Sequence, residues 1–275
     1  MNGCCCPTCR VESKPDDHEL GGYRIYVCAR CTLRYAPEAF GVVVNYDEVY
    51  EHGTYADQAV EVMRRNEMEG VDASQMDTYV PFFRQLRPLP DRERLLDVGC
   101  GGGRFCRAAA KHGWKTLGID VSEVAIQSAR QVELLPYACV ALEDIPRLHG
   151  KFDVVTAFEV LEHQVDIRRF LAQVLATLKA HGRFFCTVPA WEHPEVRTAV
   201  RPDWVPPVHV LFFTRRALSI ALGMSGFKVM KTGYIPGPPI QRWSAVKWST
   251  ERVARKVLGR AQSPLGIWAL AKPVS

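Results

Sequence analysis

Three sets of residues in this chain have the types and spacing for chemistry. The first is Leu95-Leu-Asp-Val-Gly-Cys-Gly-Gly-Gly103, an apolar run that ends in four glycines within five residues and is followed by a helical pattern at Arg104–Lys111. Glycine lets the backbone turn sharply and approach a ligand closely, and a helix start points free N–H groups at it. Asp120 closes the next apolar run, where a carboxylate can accept both hydroxyls of a ribose. The second set is Glu159, Glu162 and His163, just past the apolar run Phe152–Phe158. His163 has the chemistry of a general base toward a substrate hydroxyl. With His209 the same residues make an oxygen-and-imidazole set suited to Mg²⁺, Mn²⁺ or Zn²⁺. The third set is Cys6-Pro-Thr-Cys9 and Cys28-Ala-Arg-Cys31, two Cys-x-x-Cys knuckles separated by 18 residues. That spacing predicts a structural zinc ribbon with four thiolate ligands, Cys6, Cys9, Cys28 and Cys31. Cys4 and Cys5 are spare thiols, either of which could replace Cys6.

The glycine turn alone suits several nucleotide cofactors. Its spacing is Gly-Cys-Gly-Gly-Gly and not the Gly-x-Gly-x-x-Gly of dinucleotide binders. Asp97 lies inside the strand, two residues before Gly99, where a carboxylate would repel a pyrophosphate and favour a cationic ammonium. Both details favour S-adenosylmethionine (SAM).

The elements that position these residues follow from periodicity. Apolar runs at Leu95–Val98, Lys115–Ile119, Ala138–Leu142, Phe152–Ala157 and Arg183–Val188 read as strands. They alternate with helical patterns at Gly103–His112, Ser122–Val132 and Asp166–Ala180, with Ser122 and Asp166 as N-caps. The expected class is therefore α/β, a parallel sheet covered by helices on both faces. A helix at Thr214–Ser225 and strands at Phe227–Thr232 and Gly266–Ala271 end the pattern. Helices are also expected at Tyr55–Arg65 and Ser74–Gln85. A basic amphipathic helix at Arg242–Arg260 would pack on the sheet or on a second copy in a homodimer. Residues 1–45 form the expected zinc-ribbon module, 46–92 a helical linker or lid, and 93–275 the catalytic domain.

Composition narrows the function classes. The chain has 275 residues, 47% of them apolar, a net charge of +5 and ten cysteines, six within the first 31 residues. No apolar run is long enough to cross a bilayer. Met1–Pro7 lacks the pattern of a secretory leader, so a cytoplasmic location is expected. In that compartment the cysteines point to metal and not to disulfides. Arg10, Arg24, Arg30 and Arg34 are scattered, which weighs against a nucleic-acid surface.

At "LLDVGCGGG", "GIDVS", "FDVVTAFEVLEH" and "VLATLKAHGRFFCTVP" the chain resembles the class I SAM-dependent methyltransferases, most of all the ubiquinone-biosynthesis O-methyltransferases. The resemblance spans roughly residues 90–275. It implies a Rossmann-like seven-stranded sheet whose last strand is antiparallel, and methyl transfer to a small-molecule hydroxyl of a sugar or aromatic metabolite. It implies a cofactor set of Asp97, Gly99, Cys100, Gly101, Asp120, Val121, Leu142, Glu143 and Phe158. Within that set Gly99, Gly101 and Phe158 lie by the methionine moiety, and Leu142 and Glu143 by the adenine. The segment Val140-Ala-Leu-Glu-Asp144 departs from the family's usual Asp, so Glu143 or Asp144 takes the adenine amino group. His163 and His209 are the expected catalytic residues. Glu159, Glu162, His163 and His209 also match a set that is similar to the divalent-ion site of small-RNA 2′-O-methyltransferases. The competing expectations are an RNA methyltransferase gripping its substrate with the ribbon, and a SAM-binding interaction protein without turnover. Trp191, His193, Trp204 and His209 predict an apolar, ring-accepting wall between the fifth strand and the following helix.

Overall fold

The structure is a computed structural model that describes residues 4–52, 72–91, 93–198, 204–236 and 264–274. Three N-terminal strands, β1 (Ser13–Leu20), β2 (Tyr23–Cys28) and β3 (Arg34–Tyr35), form an antiparallel meander. The β1–β2 turn runs through Gly21 and Gly22, both at positive φ. Next come β4 (Arg94–Val98), β5 (Lys115–Asp120), β6 (Tyr137–Cys139), β7 (Phe152–Phe158) and β8 (Leu178–Pro189). The two-residue β9 (Leu211–Phe212), β10 (Phe227–Pro236) and β11 (Pro264–Pro273) complete the strands among the described residues.

Seven strands make one sheet in the order β10-β11-β8-β7-β4-β5-β6. The pairs β4–β5, β4–β7, β5–β6 and β7–β8 are parallel, and β11 runs antiparallel to both β8 and β10. This is the expected Rossmann-like sheet with its antiparallel final strand. The central strands are apolar on both faces because helices cover both, so Leu95, Leu96, Val155 and Ala157 are all fully buried. Ser122, Asp166 and Thr214 each accept a hydrogen bond from a backbone N–H of the first helical turn, capping the helices Glu123–Val132, Ile167–Thr177 and Arg215–Met224.

Several expected elements are displaced. Ser74–Gln85 is not one helix: a single 3-10 turn at Ala73–Gln75 precedes a helix at Val80–Gln85. Pro81 sits in that helix's first turn, where its missing N–H does no harm. The third parallel strand is shorter than Ala138–Leu142, since Leu142 opens a 3-10 turn. The helix expected to reach Ala180 ends at Thr177, and β8 begins at Leu178 because Leu178 pairs with Phe152. The helices expected at Tyr55–Arg65 and Arg242–Arg260 lie outside the described residues.

The cysteine-bearing strands do not stand apart. Their sheet runs β1-β2-β3-β9, and its fourth strand comes from the far half of the chain. Ile25, Leu33 and Tyr35 join the same buried cluster as Val188, Ala190 and Phe213.

Candidate active site

The glycine turn leaves β4 at Gly99, whose φ of +69° a side chain would rarely adopt. A Cβ there would also come within 2.6 Å of the Val160 Cγ2. Gly103 precedes the helix Arg104–Lys111 at φ +74°, with the Tyr137 hydroxyl 2.4 Å from where a Cβ would stand. The turn is tied to β5 by Asp120. Its Oδ2 accepts from the Gly101 N–H at 2.9 Å and its Oδ1 from the Ser122 N–H at 3.0 Å.

Beside this turn opens a cavity of about 270 Å³. Gly99, Asp120, Val121 and Leu142 line it, together with Glu159 and His163. The other expected cofactor residues lie just behind. Cys100 is 8% exposed and packs with Cys106, Ile126 and Tyr137 as a small core residue. Glu143 accepts from Arg169 at 2.6 Å and from Gln173, a cavity-lining residue, at 2.9 Å. Phe158 turns into an aromatic cluster with Tyr79, Phe105 and Phe185.

Asp97 is 2% exposed, and its Oδ1 accepts from the Thr156 hydroxyl at 2.7 Å. Burial pushes its carboxyl up to about 7, against the pull of the Thr156 bond. A carboxyl raised in the folded state stabilises the fold below its unfolded value of about 4, and that stability is lost as pH rises to the folded value. Asp97→Asn is therefore expected to raise Tm more at about pH 8 than at about pH 5, read by thermal melts at the two pH values. An equal change at both would contradict the burial account.

The cavity's outer wall is the helix Tyr46–His52, at the start of the stretch 46–92 expected as a helical linker or lid, although none of its residues was expected at the site. Tyr46 and Tyr50 line the cavity, and the Asp47 carboxylate accepts from the Ser122 hydroxyl at 2.6 Å and from the Val124 N–H at 3.3 Å. Asp47 thus ties this helix to the first turn of the helix Glu123–Val132, where negative charge is favoured. The signal was faint: two tyrosines four residues apart in a polar stretch.

At the end of β7 the chain turns through Glu159 at φ +55°, a strained conformation for a residue with a side chain. The turn aims Glu159 at a second cavity, of about 240 Å³, which shares it with the first. Glu162, Trp204, His209 and Ile235 line the second cavity. Glu159 Oε1 accepts from the Thr187 hydroxyl at 2.7 Å, and burial pushes its carboxyl up to about 7. Glu162 is 1% exposed, and neither of its carboxylate oxygens has a hydrogen-bond partner among the described residues. Burial, and then the nearby Glu159 charge, drive its carboxyl upward. His163 Nδ1 lies 2.8 Å from the Val208 carbonyl, which can only accept, so Nδ1 donates, and in the neutral imidazole this leaves the lone pair on Nε2. The His163 and His209 rings meet edge to face with centroids 4.6 Å apart. Glu162, His163 and His209 bring one ligand atom each to within 4.8 Å of one another. Of the expected four-residue set, Glu159 stands beside this trio, held by Thr187.

Trp204 lines the second cavity as expected, but Trp191 and His193 do not join it. Trp191 packs against Phe212 and under the Arg34 guanidinium, and His193 Nδ1 accepts from the Glu195 N–H at the start of a short helix.

Cys6, Cys9, Cys28 and Cys31 form a second, buried cluster. Both knuckles have the same backbone. Arg10 and Thr32 follow them at φ +58° and +63°, and their N–H groups donate to Cys6 and Cys28 carbonyls at 3.0 and 2.9 Å. The Sγ atoms of Cys6 and Cys31, Cys9 and Cys28, and Cys9 and Cys31 are 3.5, 3.3 and 3.8 Å apart. Four thiolates about 2.3 Å from a tetrahedral Zn²⁺ have edges of about 3.8 Å, so the set fits that ion.

A family model described as a methyltransferase domain matches residues 22–232. The chain is 39% identical over 102 residues to the ubiquinone biosynthesis O-methyltransferase of Coxiella burnetii, covering 35% of this chain and 44% of that one. It is 34% identical over 128 residues to the enzyme of the same name from Idiomarina loihiensis, covering 42% and 51%. It spans about half the length of these curated relatives. A crystal structure of a SAM-dependent methyltransferase from Mesorhizobium loti superposes with a TM-score of 0.53 at 22% identity, over 72% of this chain and 99% of that one.

Proposed function

The chain belongs to the methyltransferase-domain family, and from that membership we propose that it transfers the SAM methyl group to a hydroxyl of a small-molecule acceptor. The observation that carries this reading is the pair of cavities meeting at Glu159. One is bounded by the glycine turn and Asp120, and the other by Glu162 and His209. The methyl group of SAM is already electrophilic. The protein therefore has to align donor and acceptor and favour the deprotonated acceptor oxygen. Asp120 holds the ribose and Leu142 and Val121 flank the adenine. Trp204, Pro189 and Ile235 give the acceptor cavity an apolar wall that suits a ring, of a sugar or an aromatic metabolite.

Two roles for His163 fit its geometry. Its Nε2 can take the acceptor proton, or it can share a divalent ion with Glu162 and His209. The Glu162 carboxylate, without a hydrogen-bond partner among the described residues, favours the ion, since a buried carboxylate left unpaired is costly. Mg²⁺ or Mn²⁺ held by these three residues would supply the charge that favours a deprotonated acceptor hydroxyl. Transfer from methyl-labelled SAM to a panel of hydroxylated ring compounds tests the reading. Labelled product with none of the panel, under conditions where SAM binds, would refute it. Product formation unchanged after chelation and dialysis would leave His163 as the base.

At the cysteine cluster we assign structural Zn²⁺. The freshly purified protein is expected to hold zinc in equimolar amount, and the Cys28→Ser/Cys31→Ser double variant to hold none, as read by elemental analysis. A metal-free wild type would remove the zinc assignment. A four-thiolate zinc centre of this kind suits a reducing, cytoplasmic setting. Among the described residues no helix is long and apolar enough to cross a membrane.

A further inference from the structure

His209 lies about 180 residues from the last knuckle cysteine, yet its backbone is held by the cysteine-bearing strands. Arg34 and Tyr35 of β3 pair with Phe212 and Leu211 of β9. The Ala36 N–H donates to the Val210 carbonyl at 3.0 Å, while the Val210 N–H donates to the Glu162 carbonyl at 2.9 Å. Val210 is thus clamped between the cysteine module and the Glu162 backbone, one residue after His209. One residue before it, the Val208 carbonyl accepts from His163. The module grips the flanks of the segment as well. The Thr32 and Thr214 hydroxyls are 2.8 Å apart, Arg216 donates to the Arg30 carbonyl at 3.1 Å, and Gly21 packs close to Val205 and Pro206. A two-residue strand has no stability of its own. Its place is set by what pairs with it, and on its outer edge that is β3.

We propose that the cysteine module is a positioning element of the acceptor site. Through β3 and Ala36 it sets His209 against Glu162 and His163, so that an intact four-cysteine centre is required for the second centre to hold a divalent ion. The chemistry explains the arrangement. Three ligand atoms from two distant segments must converge, and the segment carrying His209 lies outside the seven-stranded sheet. A closed thiolate centre that fixes both knuckles makes β3 a rigid edge for it to pair with. Supporting contacts of this kind around a metal site typically alter its affinity by about 10–100-fold. The coupling to the ion rests on the proposed reading of the Glu162–His163–His209 centre. The positioning of His209 does not.

The test uses the full chain with zinc bound and two readouts. One is Mn²⁺ affinity, measured from the paramagnetic resonance of free Mn²⁺. The other is the imidazole resonance of His209 in nitrogen-labelled protein without Mn²⁺, assigned by its loss in His209→Asn. Ala36→Pro removes the N–H that reaches Val210 and leaves every cysteine in place. It is expected to retain zinc and to bind S-adenosylhomocysteine as the wild type does, yet to shift the His209 signal and weaken Mn²⁺ binding by about tenfold or more. A purely structural role would lower Tm without moving either readout. Should Ala36→Pro fail to bind S-adenosylhomocysteine, the milder Thr32→Gly/Arg216→Ala variant decides by the same readouts. Glycine suits the positive φ at position 32, so that variant loosens the junction without straining it. An unmoved His209 signal in a zinc-loaded, cofactor-binding variant overturns the proposal. A wild type that binds no Mn²⁺ overturns the metal reading and the coupling with it. A shifted His209 signal in the same protein would still support positioning.

Discussion

Asp120→Ala is expected to weaken S-adenosylhomocysteine binding by about a hundredfold. The carboxylate does two jobs at once. It accepts from the Gly101 and Ser122 N–H groups, fixing the glycine turn and the start of the next helix, and it faces the cavity where a ribose would lie. Hydrogen bonds to a charged group contribute about 1.5–3 kcal/mol each. Loss of the ribose contact together with a loosened turn therefore comes to about 3 kcal/mol, or a factor of about 100 in Kd. Burial pushes the Asp120 carboxyl up, opposed by its backbone bonds, so the ionised form depends on those donors. Asp120→Asn keeps one acceptor oxygen and is expected to fall between wild type and Ala. Calorimetric titration reads all three. The alanine variant should stay folded, because β5 keeps its ladders to β4 and β6. Unchanged affinity in a folded Asp120→Ala protein would mean that the cavity beside the glycine turn is not the cofactor site.

What could be read from the sequence followed the range of the interactions involved. The glycine turn and Asp120 were legible because their geometry is local: positive φ at Gly99 and Gly103, and a strand ending in a carboxylate. The two knuckles were legible for the same reason, as each is a closed turn of a few residues. The trio Glu162, His163 and His209 was visible only as residue types. Their convergence depends on β9 pairing with β3, which no local pattern encodes. A sheet edge supplied to the cysteine module from residues 211–212 likewise leaves no trace in composition. Phe158 illustrates the opposite limit. Its position at the end of β7 was clear, but alternation along a strand decides only which face a side chain takes, and not that Tyr79, Phe105 and Phe185 pack around it. Trp191 and His193, expected by the acceptor, go instead to the junction with the cysteine module and to a helix start.

Replacing Glu162 should separate stability from function. Its two oxygens are buried without a partner among the described residues, and burial and the Glu159 charge both oppose ionisation there. Such a group destabilises the fold by about 1–3 kcal/mol. Glu162→Met keeps the length of the side chain and removes both oxygens. Without divalent ion the variant is therefore expected to melt about 2–6 °C above wild type. Methyl transfer should fall by about 10²–10⁴-fold all the same, because the ion that Glu162 would help to hold is what favours the deprotonated acceptor hydroxyl. Adding Mn²⁺ should reverse the order of stability. An ion at about 1,000 times its Kd stabilises the protein that binds it by about 4.1 kcal/mol and leaves the methionine variant where it was. Buried polar groups that cost stability persist where they act, and this carboxylate lies on the wall of the second cavity beside His209. Thermal melts with and without Mn²⁺, alongside initial rates, decide the matter. Equal stabilisation of both proteins by Mn²⁺ would remove Glu162 from the metal centre. Wild-type turnover in Glu162→Met would remove it from the reaction.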